Sequence, residues 1–131
     1  MIKTVIKYQY VYAAMAIGFL ICSGVVDFFT GSPLSVANVP VSITLFTTYC
    51  FLIYKYSTNR RVYLTTMAFA ILLFCLGGVF GNLHEYFTVG LENYYNLPIF
   101  ILAVSINAFG SIFNIIALAL TLKNQGPDAP I

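Results

Sequence analysis

Four long apolar runs, at about residues 8–29, 39–56, 62–83 and 97–122, set the limits on what this chain can fold into. A helix needs about 20 mostly apolar residues to cross a bilayer. Runs this continuous lack the alternation a membrane barrel strand requires. The pattern predicts an all-α integral membrane four-helix bundle: one transmembrane domain over 1–123 and a polar, irregular tail over 124–131. Composition agrees: 60% of residues are hydrophobic and 8% charged. A soluble domain carries about 25% charged residues, so this chain has too little charge to cover a water-facing surface. The second run is short and should lean on snorkelling by Lys55 between Tyr54 and Tyr56; the fourth is long and should tilt.

The six basic residues fix an expected orientation. Lys3 and Lys7 precede the first run, Lys55, Arg60 and Arg61 lie between the second and third, and Lys123 follows the fourth. All lie on one side of a four-span arrangement, whereas Asp27, Glu85 and Glu92 lie at or beyond the other. By the positive-inside rule, both termini and the 57–59 turn are cytoplasmic, and loops 30–38 and 84–96 are outside. Tyr8, Tyr10, Tyr12, Tyr54, Tyr56 and Tyr63 are expected at the inner boundary, and Tyr86, Tyr94 and Tyr95 at the outer one. Only Tyr49 falls well within a span. The apolar run after Lys7 exceeds a signal-peptide core of about 7–15 residues and reads as a retained first span. The expected location is a bacterial or archaeal cytoplasmic membrane.

Pairs of similar segments hint at a duplicated helical hairpin. Cys22-Ser23-Gly24 parallels Cys75-Leu76-Gly77, and Asn38-Val39-Pro40 parallels Asn96-Leu97-Pro98. Two spans per half would keep both halves in the same orientation, as in parallel-repeat transporters. Cys22, Cys50 and Cys75 each lie in an apolar run with no CxxC pair, which argues against a disulfide framework or a membrane thiol oxidoreductase.

Several constellations are candidates for contact or chemistry. Ala14, Gly18 and Cys22 recur every fourth residue, and Gly77 and Gly81 form a GxxxG; both stripes suit close helix packing, between the first and third helices or with a partner. Asn107, Ser111 and Asn114 share one face of the fourth helix, where an amide in hydrocarbon needs a partner. Thr44, Thr47 and Thr48 are the expected suppliers. The plain reading of this face is interhelical hydrogen bonding; the sharper one is a polar track for a substrate or lipid headgroup. His84, Glu85, Glu92 and Asp27 are weak candidates for an outer cation site, since no HxxxH or ExxH spacing accompanies them.

No catalytic residue, nucleophile–base pair, phosphate loop or cofactor motif stands out. No cofactor is therefore expected, and catalysis by this chain alone is disfavoured. No charged residue sits at mid-depth in a span, unlike the usual proton relay. The membrane-embedded Glu on which four-helix multidrug exporters rely has no counterpart in the first span. The net charge of +2 gives no footprint for nucleic acid. The expected partners are membrane lipids and either other integral membrane subunits or further copies of this chain. The sequence favours a non-catalytic accessory subunit of a larger membrane complex, with a small homo-oligomeric transporter or lipid-linked substrate flippase as the alternative.

Overall fold

The computed structural model describes residues 1–123; the 124–131 tail lies outside the described residues. Among these the chain is all-helical, with four helices: α1 (Ile2–Thr30), α2 (Val39–Tyr56), α3 (Arg60–Val89) and α4 (Leu97–Lys123). By length and composition α1, α3 and α4 are each able to cross a membrane. The helices run up and down in chain order. α1 and α3 each pack against α2 and α4, so α1 and α3 stand on a diagonal.

Local chemistry places the ends. Asn38 caps α2 by accepting from Val41 N–H at 3.1 Å, Asn59 caps α3 through Val62 N–H at 3.2 Å, and Asn96 caps α4 through Ile99 N–H at 3.0 Å. Each side-chain oxygen satisfies an N–H that the first helical turn leaves without a backbone partner. Pro40 and Pro98 follow two residues after their caps, where no intrahelical N–H is required. Gly31 stops α1 at φ 67°, a left-handed conformation that favours glycine. α3 has no such breaker until Gly90 at φ 76°. It therefore continues through His84–Val89, which the sequence reading assigned to the outer loop.

The two connections at this end, hereafter the loop end, are joined. Val36 N–H donates to Asn93 O and Tyr95 N–H to Leu34 O, both at 3.1 Å, around an antiparallel bridge between Ser35 and Tyr94. Buried Ser23 on α1 accepts from Ser35 N–H at 3.3 Å and ties this bridge to the bundle. At the opposite, terminal end, Arg60 Nε donates to Thr121 O at 3.3 Å, linking α3 to α4.

One departure from regular geometry positions the site. Residues Ile71–Gly81 of α3 are π-helical, whereas Arg60–Ala70 and Asn82–Val89 are α-helical. At the end of this stretch, Asn82 N–H bonds to Val79 O instead of Gly78 O. This contact spans only three residues, so where the π-helical stretch gives way to α-helix the i→i−4 bond that Asn82 N–H would direct to the Gly78 carbonyl is not made.

Candidate functional site

The bundle interior divides into a hydrogen-bonded plug near the terminal end, an aromatic layer, and a cavity toward the loop end. In the plug, Gln9 and Asn114 are fully buried. Gln9 Nε2 donates to Asn114 Oδ1 at 3.0 Å and also contacts Met67 Sδ. Tyr63 O–H donates to Gln9 Oε1 at 2.9 Å, and Tyr49 O–H to Asn114 Oδ1 at 2.6 Å. All four helices contribute to this network. Asn114 Nδ2 has no partner among the described residues. Such linked buried polar groups specify one packing arrangement, because a slipped helix would leave several of them unpaired.

Above the plug, Phe46 and Phe74 stack with ring centroids 4.8 Å apart and 7° between planes. Tyr12 meets both rings edge-on, with centroids 5.4 Å away in each case. Its ring lies against Gly110 so closely that a Cβ there would collide with it. Tyr12 O–H donates to Asn107 Oδ1 at 3.1 Å.

Beyond this aromatic floor lies a cavity of about 330 Å³ between the helices, roofed by Ser35–Ala37 and Asn93–Tyr94 of the two paired loops. Its wall includes Gly78, Asn82 and Asn107. The Gly78 carbonyl accepts from Asn82 Nδ2 at 2.7 Å and from Asn107 Nδ2 at 3.2 Å. The π-helical winding thus leaves a carbonyl for two side-chain amides. Glycine is required for the approach: a Cβ at Gly78 would stand 2.7 Å from Asn107 Cγ. Glu85 is the one charged side chain lining the cavity, and its Oε2 accepts from Asn93 Nδ2 at 2.8 Å. Burial, aided by the Glu85 charge, pushes the Tyr94 hydroxyl up to about 12, so at neutral pH it remains a neutral donor. Amides, an acid and aromatic faces converging in a mostly apolar hollow can hold a small molecule with one polar, neutral or cationic end. Among the described residues no cation lines it to receive a phosphate.

The sequence-derived candidates are distributed unevenly over this architecture. Asn107 and Asn114 lie inside, in the cavity wall and the plug respectively, and Ser111 is buried beside them, donating to Asn107 O at 2.7 Å. Thr44, Thr47 and Thr48 are exposed, and the first two donate to Pro40 O and Ile43 O of their own helix. The partners of the α4 asparagines are instead Gln9, Tyr12, Tyr49 and the Gly78 carbonyl. Tyr12 and Tyr63, expected at a boundary, are core residues at 0% and 1% exposure. The Ala14, Gly18 and Cys22 stripe faces outward. Gly77 is exposed as well but also lines the cavity, and a Cβ at either Gly18 or Gly77 would meet nothing within 4 Å. Gly81 is half-buried, with a Cβ position 3.3 Å from Leu76 O of its own helix. These stripes do not bring α1 and α3 together, since those helices are diagonal. His84, Glu85, Glu92 and Asp27 are exposed, and no three His, Cys, Asp or Glu among the described residues gather within reach of one ion.

Gln9, Asn82 and Gly78 were not singled out from the sequence. Gln9 beside Lys7 and Tyr8 reads as a headgroup-level residue, and Asn82 reads as the approach to a loop. The two amides could have been flagged as polar side chains inside or abutting apolar runs. Nothing in the local sequence distinguishes Gly78 from Gly77. No family model, characterised protein or solved structure matches this chain.

Proposed function

We propose that this protein is a four-span integral membrane protein that binds a small neutral or cationic ligand at its non-cytoplasmic end and transports it as a homo-oligomer. The observation that carries this reading is the cavity between the plug and the paired loops, where Asn82 and Asn107 converge on Gly78 O beside Glu85. A plugged terminal end and a hollow loop end are what one end-state of an alternating-access carrier requires. The absence of a cation from the lining favours amines and polyols over phosphate-linked substrates.

The membrane assignment is supported by the outer surface. Phe28 and Phe87 are 84% and 81% exposed, and large apolar side chains on all four helices face outward. A soluble monomer rarely presents such continuous apolar area. α2 is the shortest of the four and is not among the three long and apolar enough to cross by length and composition, yet its Thr44 and Thr47 hydroxyls are satisfied by its own carbonyls and make little demand on the surroundings. All six basic residues cluster toward the terminal end, supporting a cytoplasmic location for both termini.

Thermal-shift measurements on detergent-purified protein test the ligand class, using neutral polyols, primary and quaternary amines, and phosphate esters as probes. A polyol or amine should raise Tm, and Asn107→Leu should abolish that rise. Stabilisation by phosphate esters alone, or an undiminished rise in Asn107→Leu, would overturn the proposal.

A second reading, as an accessory subunit of a larger complex, is favoured by the outward Ala14, Gly18 and Cys22 stripe. In lipid such small residues allow another helix to approach. Recovery of unlike chains at fixed stoichiometry in mild detergent would support it, whereas recovery of this chain alone would count against it.

A further inference from the structure

A second hollow lies outside the bundle core, in the groove between α2 and α3. It measures about 500 Å³ and is walled by Leu45 and Leu52 on one side and by Phe69 and Leu73 on the other, with Arg61 at one end. We infer that this groove binds one acyl chain of an anionic phospholipid from the cytoplasmic leaflet, with the lipid phosphate at Arg61. The inference rests on the four-span reading; the groove shares Leu45, Leu73 and Phe74 with the wall of the interior cavity but does not depend on the ligand proposed for it.

Length is the first argument. From Arg61 to Phe74 the groove follows α3 for about 20 Å at 1.5 Å per residue. That is about two thirds of a hydrocarbon core about 30 Å thick, or one leaflet of about 15 Å plus the headgroup-level stretch at Arg61. The groove is therefore one leaflet deep, measured from the end where the basic residues cluster. Width is the second. A volume of 500 Å³ over that length leaves about 25 Å² of cross-section. A polymethylene chain can fill a groove this narrow, whereas a partner helix about 10 Å across would ride over its rims.

Chemistry is the third argument. Thr65 and Thr66 on the wall donate to Arg61 O and Val62 O of their own helix, so they make no polar demand on an occupant. Arg61 is exposed, no carboxylate among the described residues lines the groove, and Lys55 and Arg60 lie near the same end. A guanidinium at headgroup depth matches phosphate in charge and in its fork of donors. An acyl chain leading away from that phosphate would lie along Thr65, Phe69 and Leu73.

The chain contains no tryptophan, so one introduced indole is a clean reporter. Phe69→Trp places it on the groove wall, and Leu52→Trp on the facing wall is the second reporter should the first fail to fold. Ile112→Trp is the control: it is exposed on α4 at similar depth, because Arg60 sits beside Thr121. Full-length protein would be reconstituted into vesicles of phosphatidylglycerol and phosphatidylcholine, with one lipid or the other brominated in its acyl chains. Quenching of the groove reporter should give a relative affinity for the anionic lipid about fivefold above that for the zwitterionic one. The preference should vanish with Arg61→Gln and be absent at Ile112→Trp. Equal quenching by both lipids at the groove reporters, or a preference surviving Arg61→Gln, would overturn the site. A groove shielded from both lipids while the control is quenched would overturn it too, in favour of coverage by a second copy. Quenching at neither position would instead overturn the four-span reading.

Discussion

Gln9 and Asn114 show how much a single side chain decides in this fold. Each amide is fully buried, and each is satisfied mainly by the other and by a tyrosine from a further helix. Replacing one with an apolar residue strands the groups left behind, whereas replacing both removes much of the mutual requirement. Gln9→Leu and Asn114→Leu should therefore each cost about 1–3 kcal/mol of stability, and the double variant should cost less than their sum. Denaturant titration in mixed micelles checks this; strict additivity would show that the two amides act separately. Gly110 makes a similar point in terms of space. Its missing Cβ is occupied by the Tyr12 ring, so Gly110→Ala should destabilise by about 1–3 kcal/mol by overpacking. The same measurement reads it, and a neutral result would mean that the ring can move aside.

Within α3 the adjacent glycines have opposite surroundings. A Cβ at Gly77 meets nothing within 4 Å, whereas one at Gly78 runs into Asn107. Alanine is the better helix former by about 1 kcal/mol, so Gly77→Ala should be neutral or mildly stabilising. Gly78→Ala should push Asn107 away from the Gly78 carbonyl and abolish the ligand-induced rise in Tm. A ligand-induced rise in Tm that survives Gly78→Ala undiminished would show that the cavity wall is not built as described. Sequence reasoning could not separate these residues. Gly77 and Gly81 form the recognisable spacing, while Gly78 owes its role to the π-helical winding of Ile71–Gly81 and to a side chain 29 positions away. The same holds across elements. The apolar runs and the asparagine–proline pairs made four helices and their starting points legible. The diagonal placement of α1 and α3 depends on which faces meet, and α1, α4 and the Ile71–Gly81 stretch carry little amphipathic asymmetry to announce it. The asparagine face on α4 was readable as a group needing partners. Its partners were not, because Tyr12 and Tyr63 sit close to basic residues in sequence yet turn inward.

At the scale of the whole molecule, plug, cavity and groove acquire meaning from the orientation of the bundle. Lys3, Lys7, Lys55, Arg60, Arg61 and Lys123 gather at one end, and Asp27, Glu85 and Glu92 lie at the other. If the basic end is cytoplasmic, the cavity takes its ligand from outside and the α2–α3 groove takes its lipid from the inner leaflet; the reverse orientation exchanges both sources. Asn38 and Asn96 make the same cap at the loop-end starts of α2 and α4, which fits two hairpins inserted with the same polarity and ties their orientations together. Single-cysteine labelling decides the matter. In a background carrying Cys22→Ala, Cys50→Ala and Cys75→Ala, the exposed loop position Glu92→Cys should react with a membrane-impermeant maleimide on intact cells. Thr58→Cys, in the short turn between α2 and α3, should react only after the cells are permeabilised. Labelling in the opposite order would invert the bundle and move the ligand cavity to the cytoplasmic face. Labelling of both sites in intact cells would mean that the four helices do not all cross, and α2, the shortest and not among the three long and apolar enough to span, would be the one to re-examine.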